Sequence, residues 1–280
     1  MPAEPRWSAA ELRCAASLVD ERKVRAVRMG GIDLTFQQDT KPLITGTRVW
    51  PGSTHFAEYI ERNPRKALRG LCGRGVHLPE SRVIELGAGC CGIGGCSLAL
   101  HGAQSVVLTD GEPDAIAMLQ ANVNSNAALL PPTVTCAMFL WGEDPAEAGL
   151  APPYDIIIGC DIINPDLLNT INPDPSRAEK LVVSLKALSH ASTVFIFAME
   201  ERPHADIARF ERMLSAAGFE MSHVVRRVRP STMSRPWLCC AAAACNGSTV
   251  VAGEGGEPPP LSLAALEEQS PVTIVRCRLR

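Results

Sequence analysis

The sequence predicts an α/β fold in which a doubly wound sheet of seven strands carries helices on both faces and ends in an antiparallel strand. Strands and helices alternate from residue 82 onward, as in a parallel sheet built from strand–helix–strand units. The short apolar runs 156–158 and 194–197 have the composition of central strands buried on both faces. Residues 272–279 alternate apolar and polar side chains, and we expect this last strand to pair antiparallel with residues 219–228.

The N-terminal extension, residues 1–45, is predicted to contain a helix and a strand. Residues 8–28 have the pattern of a helix with one polar side. A Gly-Gly pair then precedes the alternating run 32–36, which predicts a strand. A further helix is expected over residues 53–68, before the core sheet begins.

The core and one interruption account for the rest of the chain. Strands are predicted at 82–86, 104–109, 133–139, 154–159, 193–198, 219–228 and 272–279, and helices at 92–101, 112–125, 176–189 and 203–217. Residues 230–269 break the pattern, because a segment so rich in Pro, Gly, Ala and Cys buries too little apolar surface to offset its ordering entropy. We therefore predict a single domain over residues 1–280, with a core of 46–229 and 270–280 and a flexible insertion at 230–269.

Composition and charge argue against several classes of protein. The net charge of −3 lacks the electrostatic footprint of a nucleic-acid binder. No apolar run approaches the roughly 20 residues that span a bilayer, and the N-terminus lacks the apolar stretch of a secretory signal. The eleven cysteines are scattered, with no CxxC pair and no His at ligand spacing, so we predict no metal site. These observations predict a protein of the cytoplasm or the nucleus.

The most informative motif is a glycine-rich turn after the strand 82–86. Its glycines, Gly87, Gly89 and Gly92, would let a cofactor approach the backbone closely. The helix that follows would direct its N-terminal amides into the turn. The spacing matches a dinucleotide fingerprint, and Asp110 lies about 20 residues further on, where ribose recognition needs a carboxylate.

Glu85 favours a different cofactor. It is an acid inside the strand, two positions before Gly87. This placement is typical of enzymes that use S-adenosylmethionine, which carries an amino-acid end and a sulfonium but no pyrophosphate. A glycine-rich turn that binds nothing is the remaining interpretation. Because strand, turn and acid fall in register, we predict S-adenosylmethionine as the cofactor.

Five motifs follow one another along the chain. They are Gly46 with Val49-Trp50-Pro51, Glu85-Leu86-Gly87-Ala88-Gly89 with Gly92, Thr109-Asp110-Gly111 with Asn122 and Asn126, Leu140-Trp141-Gly142, and Tyr154-Asp155-Ile156-Ile157-Ile158-Gly159-Cys160-Asp161. In this order and spacing they resemble the seven-strand protein-lysine methyltransferases of the methyltransferase-like 21 type. The resemblance implies a Rossmann-like fold with an antiparallel last hairpin and S-adenosylmethionine as methyl donor. It also implies a protein substrate, such as a chaperone or a translation factor, that is methylated on lysine.

The motifs supply candidate cofactor-binding residues. Asp110 ends the second strand, where a carboxylate accepts two hydrogen bonds from ribose hydroxyls; an acidic cap for the next helix is the alternative. The resemblance places Trp141 over the adenine and Trp50 in the cofactor pocket, with core packing as the alternative for both. Cys160 would border the cofactor without acting as a nucleophile. The predicted set is Trp50, Glu85, Gly87, Ala88, Gly89, Asp110, Trp141 and Cys160.

Asp161 is the predicted catalytic residue. Methyl transfer to an amine needs alignment and a neutral nitrogen, and deprotonating a lysine of pKa about 10.4 at pH 7 costs about 4.6 kcal/mol. A carboxylate at the carboxyl end of the fourth strand would orient the ammonium and help to remove its proton. The alternative is that Asp161 braces its own loop.

Asn164 departs from the resemblance. Relatives carry Asp-x-x-Tyr in this loop, whereas the chain has Asp161-Ile162-Ile163-Asn164, so the tyrosine that would line a lysine channel is missing. Two other functions stay open: a methyltransferase acting on an N-terminal amine, a histidine or a small molecule, and a catalytically silent module that binds S-adenosylmethionine or a chaperone. We expect a monomer that binds neither nucleic acid nor membrane.

Overall fold

The computed structural model describes residues 22–39, 45–73, 76–162, 175–200, 207–228 and 272–279. A two-stranded hairpin of β1 (Arg22–Met29) and β2 (Ile32–Asp39) precedes a seven-stranded mixed sheet. The sheet contains β3 (Arg82–Leu86), β4 (Ser105–Asp110), β5 (Val134–Met138), β6 (Tyr154–Cys160), β7 (Ser189–Glu200), β8 (Phe219–Val228) and β9 (Val272–Leu279). The helices are α1 (Pro51–Arg62), α2 (Pro64–Cys72), α3 (Ile93–Leu100), α4 (Pro113–Ser125), α5 (Pro175–Ala187) and α6 (Ile207–Ala216), with 3₁₀ turns at Thr45–Thr47 and Leu78–Glu80.

The order of the strands confirms the predicted Rossmann-like fold. It is β5-β4-β3-β6-β7-β9-β8, with β3 to β7 parallel and β9 antiparallel to both of its neighbours. The chain reverses its direction of travel across the sheet between β3 and β6, and ligands of such sheets bind at this switch point. No helix in the described ranges is both long and apolar enough to cross a bilayer.

Side chains from the central strands pack on both faces of the sheet. Val83 belongs to one apolar cluster, which also holds side chains of α1, α3 and α4. Ile84 and Leu86 belong to a second cluster with side chains of α5 and α6. Because both faces of β3 are buried after Arg82, the rest of its sequence is apolar except for Glu85. A buried acid does not stabilise such a strand, so Glu85 indicates a functional site at this part of the sheet.

The predicted helix over residues 8–28 is wrong in its last part. Residues 8–21 lie outside the described residues, and residues 22–28 belong to strand β1. Gly30 and Gly31 have φ of 60° and 78°, as in a two-residue hairpin turn. The hairpin buries an apolar side chain at every second residue. In a strand these side chains share one face, whereas in a helix they would point in different directions.

The predicted helix over residues 53–68 is two helices. Pro64 ends the first because a proline removes a helical hydrogen bond and starts a helix well. The side chain of Asn63 accepts the Lys66 N–H and caps α2. The predicted insertion, residues 230–269, lies outside the described residues, whereas the antiparallel pairing of β8 with β9 is confirmed.

Asn122 and Asn126 of α4 attach the hairpin to the core. The side-chain amide of Asn126 accepts the Thr35 N–H at 3.1 Å and donates to the Thr35 carbonyl at 2.7 Å. Asn122 makes the same pair of bonds with Gln37, at 2.8 and 2.9 Å. Asn122 and Asn126, one helical turn apart, thus each bond to the N–H and the carbonyl of one residue of β2. A neighbouring β-strand would pair with β2 in the same way.

Replacing Asn126 with alanine is expected to lower the free energy of unfolding by about 1–3 kcal/mol, because it removes the partners of two backbone groups that are partly shielded from water. Urea denaturation followed by circular dichroism measures the change. Gln120→Ala is the matched control, since the bond of Gln120 to Asn124 on the same helix is exposed. Equal stability of the two variants would contradict the assignment.

Strand β9 joins two parts of the molecule. It lies between β7 and β8, so β8 is hydrogen-bonded to the sheet through β9. The guanidinium of Arg276 donates to the Gly70 carbonyl at 2.9 Å, and that of Arg278 to the Cys72 carbonyl at 3.3 Å. Both carbonyls lie in the last turn of α2, where a helix favours cations.

Candidate cofactor and acceptor site

The glycine-rich turn follows β3 at the carboxyl edge of the sheet. Gly87, Gly89 and Gly92 have φ of 61°, 58° and 55°, a region that favours glycine. A Cβ on Gly87 would lie 2.7 Å from the Ile162 side chain, and one on Gly89 would lie 3.0 Å from the Gly46 carbonyl oxygen. Backbone conformation and close packing therefore both require glycine here.

Glu85 is buried directly under this turn. Its carboxylate accepts the Gly95 N–H at 2.7 Å, and the Gly94 N–H and the Cys160 thiol also bond to it. Burial raises the pKa of Glu85 to about 8, because the loss of hydration outweighs the hydrogen bonds that favour the ionised form. Glu85 is therefore mostly protonated at neutral pH while no cation lies beside it.

Asp110 holds the turn from the end of β4. One carboxylate oxygen accepts the Gly89 N–H at 2.9 Å, and the other accepts the Glu112 N–H at 3.0 Å. The N-cap of α4 is Glu112, so Asp110 is not the cap itself. Burial raises its pKa above the ordinary value. The Gly111 N–H also bonds to this carboxylate, so one of its four acceptor positions remains for a hydroxyl donor.

Five of the predicted cofactor residues line one cleft: Trp50, Glu85, Gly87, Ala88 and Cys160. The other three lie beside it. Gly89 and Asp110 bond to each other, and the Trp141 ring lies 3.6 Å from the position of a Cβ on Gly87. Trp141 also packs against the second apolar cluster; its place over the adenine stays a prediction.

The cleft suits S-adenosylmethionine better than a dinucleotide. A buried carboxyl group on its wall favours a cationic ligand and opposes a pyrophosphate. Gly87 lines the cleft, where a cofactor can approach the main chain. Within the described ranges no group of side chains has the composition of a metal site. The residues that are present thus fit the predicted cofactor.

Cys160 remains a thiol. Burial raises its pKa well above the ordinary value, with the Glu85 carboxylate as a further cause. Since the thiolate is the nucleophilic form of cysteine, this side chain has no covalent role at neutral pH. The prediction that it only borders the cofactor is consistent with this state.

Asp161 lies at the end of β6 and is held by backbone amides. Its carboxylate accepts the Gly52 N–H at 2.5 Å and the Glu200 N–H at 2.7 Å. Its φ of 54° is unusual for a residue other than glycine, and such backbone strain clusters at functional sites. These bonds link Asp161 to α1 and β7; catalysis by Asp161 stays a prediction. Asn164 lies outside the described residues.

Three residues at this end of the site escaped the sequence analysis. Gly52 allows α1 to approach Asp161, since a Cβ there would lie 2.6 Å from the carboxyl carbon. A glycine in the first turn of a helix was the available signal. No sequence signal pointed to Glu200 or His55, because each lies here through contacts with residues that are far away in the sequence.

Glu85 makes the stability of the cofactor-free protein depend on pH. Its folded pKa of about 8 exceeds its ordinary value of 4.5, so between these values the folded state holds a proton that the unfolded state releases. Its contribution is therefore lost as the pH rises, by up to about 1.4 kcal/mol per pH unit. Urea denaturation at pH 5.5, 6.5 and 7.5 should show a steeper fall for wild type than for Glu85→Gln. Parallel curves would contradict the assignment.

A solved structure shares the fold. The 16S rRNA N2 G1207 methyltransferase RsmC of T. Thermophilus, in complex with AdoMet and guanosine, matches with a TM-score of 0.51 at 18% identity. The match covers 94% of this chain and 52% of that one. At this identity the likeness shows the fold alone.

Two sequence relatives are described as lysine methyltransferases. The chain is 35% identical over 161 residues to protein N-lysine methyltransferase METTL21A of Xenopus tropicalis. This match covers 54% of this chain and 66% of that protein. It is 27% identical over 143 residues to calmodulin-lysine N-methyltransferase of Arabidopsis thaliana, with coverage of 51% and 42%. The chain thus spans less than two thirds of either relative. Residues 29–216 match the family model described as lysine methyltransferase, and because this match covers more than half of the chain, the protein belongs to that family.

Proposed function

We propose that the protein transfers a methyl group from S-adenosylmethionine to a lysine side chain of a protein substrate. The observation that carries the proposal is the pair of buried acids, Glu85 and Asp110, on either side of a glycine turn in a chain of the lysine methyltransferase family. S-adenosylmethionine supplies an electrophilic methyl group on a sulfonium. Both relatives described above are named for lysine methylation, and this supports lysine as the acceptor.

The cofactor side of the site is made by β3, β4 and the turn between β3 and α3. Asp110 would bind the ribose through the acceptor position that its three backbone N–H bonds leave available. Glu85 would lose its proton when a cationic amino-acid group lies in the cleft, because an opposite charge favours the ionised form. Trp50 would cover the cleft from the start of α1.

The acceptor side is made by β6, β7 and the N-terminal end of α1. Asp161 and Glu200 lie at the carboxyl ends of neighbouring strands, next to the switch point of the sheet. The Asp161 carboxylate would orient an incoming ammonium group there. A lysine held between this carboxylate and the cleft would reach the methyl group in line.

The proposal includes a reducing compartment, the cytoplasm or the nucleus. It is supported by the seven free cysteine thiols of the described residues, six of them buried. A chaperone or a translation factor is the proposed kind of substrate.

Incubation of the protein with tritiated S-adenosylmethionine and a whole-cell lysate tests the function. Mass spectrometry of any labelled band should find methylated lysine, and Asp110→Ala should label far less. A methylated histidine or N-terminal amine would instead support the acceptor change that Asn164 suggests. No label, with cofactor binding intact by calorimetry, would overturn the proposal in favour of a silent binding module.

A further inference from the structure

His55 lies in α1 beside the proposed acceptor side. It is 6% exposed and follows Gly52 by three residues, so the two lie on one face of the helix. Gly52 contacts Asp161 from this face. Glu200, whose N–H bonds to Asp161, also acts electrostatically on the His55 ring.

The charged groups around His55 come from several elements. Two carboxylates, of Glu58 on α1 and Glu200 on β7, favour a proton on the ring, whereas Arg25 of β1 and Arg62 of α1 oppose it. Burial is the largest influence and lowers the pKa of His55 below its usual 6.5. The ring is therefore neutral at pH 7 and has a lone pair available for a proton.

One nitrogen of the His55 ring makes no hydrogen bond that would stabilise the fold. Among the described residues the buried Nδ1 of His55 has no hydrogen-bond partner. A buried polar atom without a partner weakens the folded state, and in native proteins it calls for a functional explanation. By contrast, the Asp161 carboxylate already bonds to two backbone amides, which makes it a rigid anchor for an ammonium.

The proposed reaction has one proton to dispose of. A lysine enters as an ammonium and must become a neutral amine before its nitrogen lone pair forms the N–C bond. The methylated product is again an ammonium, so each turnover releases one proton. That proton needs an acceptor, and a positioned side chain of the protein can supply one.

We propose that His55 accepts the proton of the lysine ammonium and passes it to solvent, while Asp161 holds the ammonium in place. The N–H bond of the substrate breaks, its electron pair stays on the lysine nitrogen, and the proton forms an imidazolium at His55. The imidazolium then loses the proton to water and the neutral ring is restored. This inference rests on the proposed function.

The pH profile of the variants tests the proposal, using the labelled substrate protein found in the lysate. His55→Gln and His55→Asn should lower kcat at pH 7 at least about tenfold, the lower part of the usual range for acid–base catalysis. The deficit should shrink to within about threefold at pH 9.5, because the free-amine fraction rises towards the lysine pKa of about 10.4. A purely structural role would leave the deficit independent of pH, and this result would overturn the proposal.

His190→Gln is the matched control. His190 lies at the opposite end of the sheet, where its Nε2 is 3.2 Å from Asp155, and its replacement should leave transfer unchanged at every pH. Calorimetry with S-adenosylmethionine should give the same affinity for wild type and both His55 variants. Loss of cofactor binding in both variants would show a structural role and contradict the proposal.

A second measurement does not depend on transfer. Carbon-13 labelling of histidine rings, with His55→Gln for assignment, follows His55 while n-butylamine is added as a lysine analogue to protein saturated with S-adenosylhomocysteine. We expect a saturable shift of the His55 resonance and none at His190. An unmoved His55 resonance overturns the inference even if lysine is methylated. If wild type transfers no methyl group to lysine, the proposed function fails. The titration then still shows whether His55 responds to a bound amine.

Discussion

Replacing Asp161 with asparagine is expected to cut methyl transfer at least about tenfold and to destabilise the protein as well. Both carboxylate oxygens accept backbone N–H groups, of Gly52 and Glu200. Asparagine has only one acceptor oxygen, so its NH₂ group must face one of those donors. Leaving a buried donor without a partner should lower the free energy of unfolding by about 1–3 kcal/mol. Urea denaturation and single-turnover labelling of the substrate protein measure the two effects.

Asp155→Asn separates the loss of stability from the loss of transfer. Asp155 lies at the other end of β6, where its carboxylate accepts the Arg82 N–H at 2.8 Å, far from the glycine turn. This variant should lose stability and keep its transfer rate at a temperature where it is folded. If Asp161→Asn transferred as fast as Asp155→Asn under those conditions, Asp161 would be a brace without a part in the chemistry.

Replacing Asp110 with alanine is expected to weaken the binding of S-adenosylmethionine by about 1.5–3 kcal/mol, the range for hydrogen bonds to a charged group. The change removes the acceptor for ribose hydroxyls and also the acceptor of the Gly89 N–H, which fixes the turn. Isothermal titration calorimetry measures the affinity.

Two controls define this effect. Asp110→Asn keeps one acceptor oxygen, so its affinity should lie between those of wild type and the alanine variant. Asp33→Ala removes an exposed acid that pairs with Arg28 on the hairpin, and it should bind as wild type does. An Asp110→Ala protein with affinity within twofold of wild type would remove Asp110 from the cofactor site.

Local sequence signals located the residues of the proposed cofactor side. The bounds of β3 agree with the prediction, since its apolar run ends at the glycines that start the turn. Glu85 and Asp110 were found because each lies at a fixed distance from those glycines along the chain. A short stretch of sequence determines all of these positions.

The contacts on the acceptor side could not be predicted in the same way. Asp161 bonds to partners 109 and 39 residues away, and no local pattern encodes such contacts. The wrong prediction of a helix at β1 has another cause. The pair Gly30 and Gly31 is a hairpin signal, but residues 8–28 were interpreted as a helix in spite of it. The orphan nitrogen of His55 is visible only once α1 has been placed against β7.

The position of β9 has a consequence for the order in which the fold is completed during synthesis. The ribosome delivers β8 first, yet the strand that bonds to it on the sheet comes more than forty residues later. At a translation speed of about 5–20 residues per second, the edges of β7 and β8 wait for several seconds without their shared neighbour. Unpaired strand edges are sites of aggregation, so a nascent chain of this protein has a period in which a chaperone that covers strand edges would be most useful.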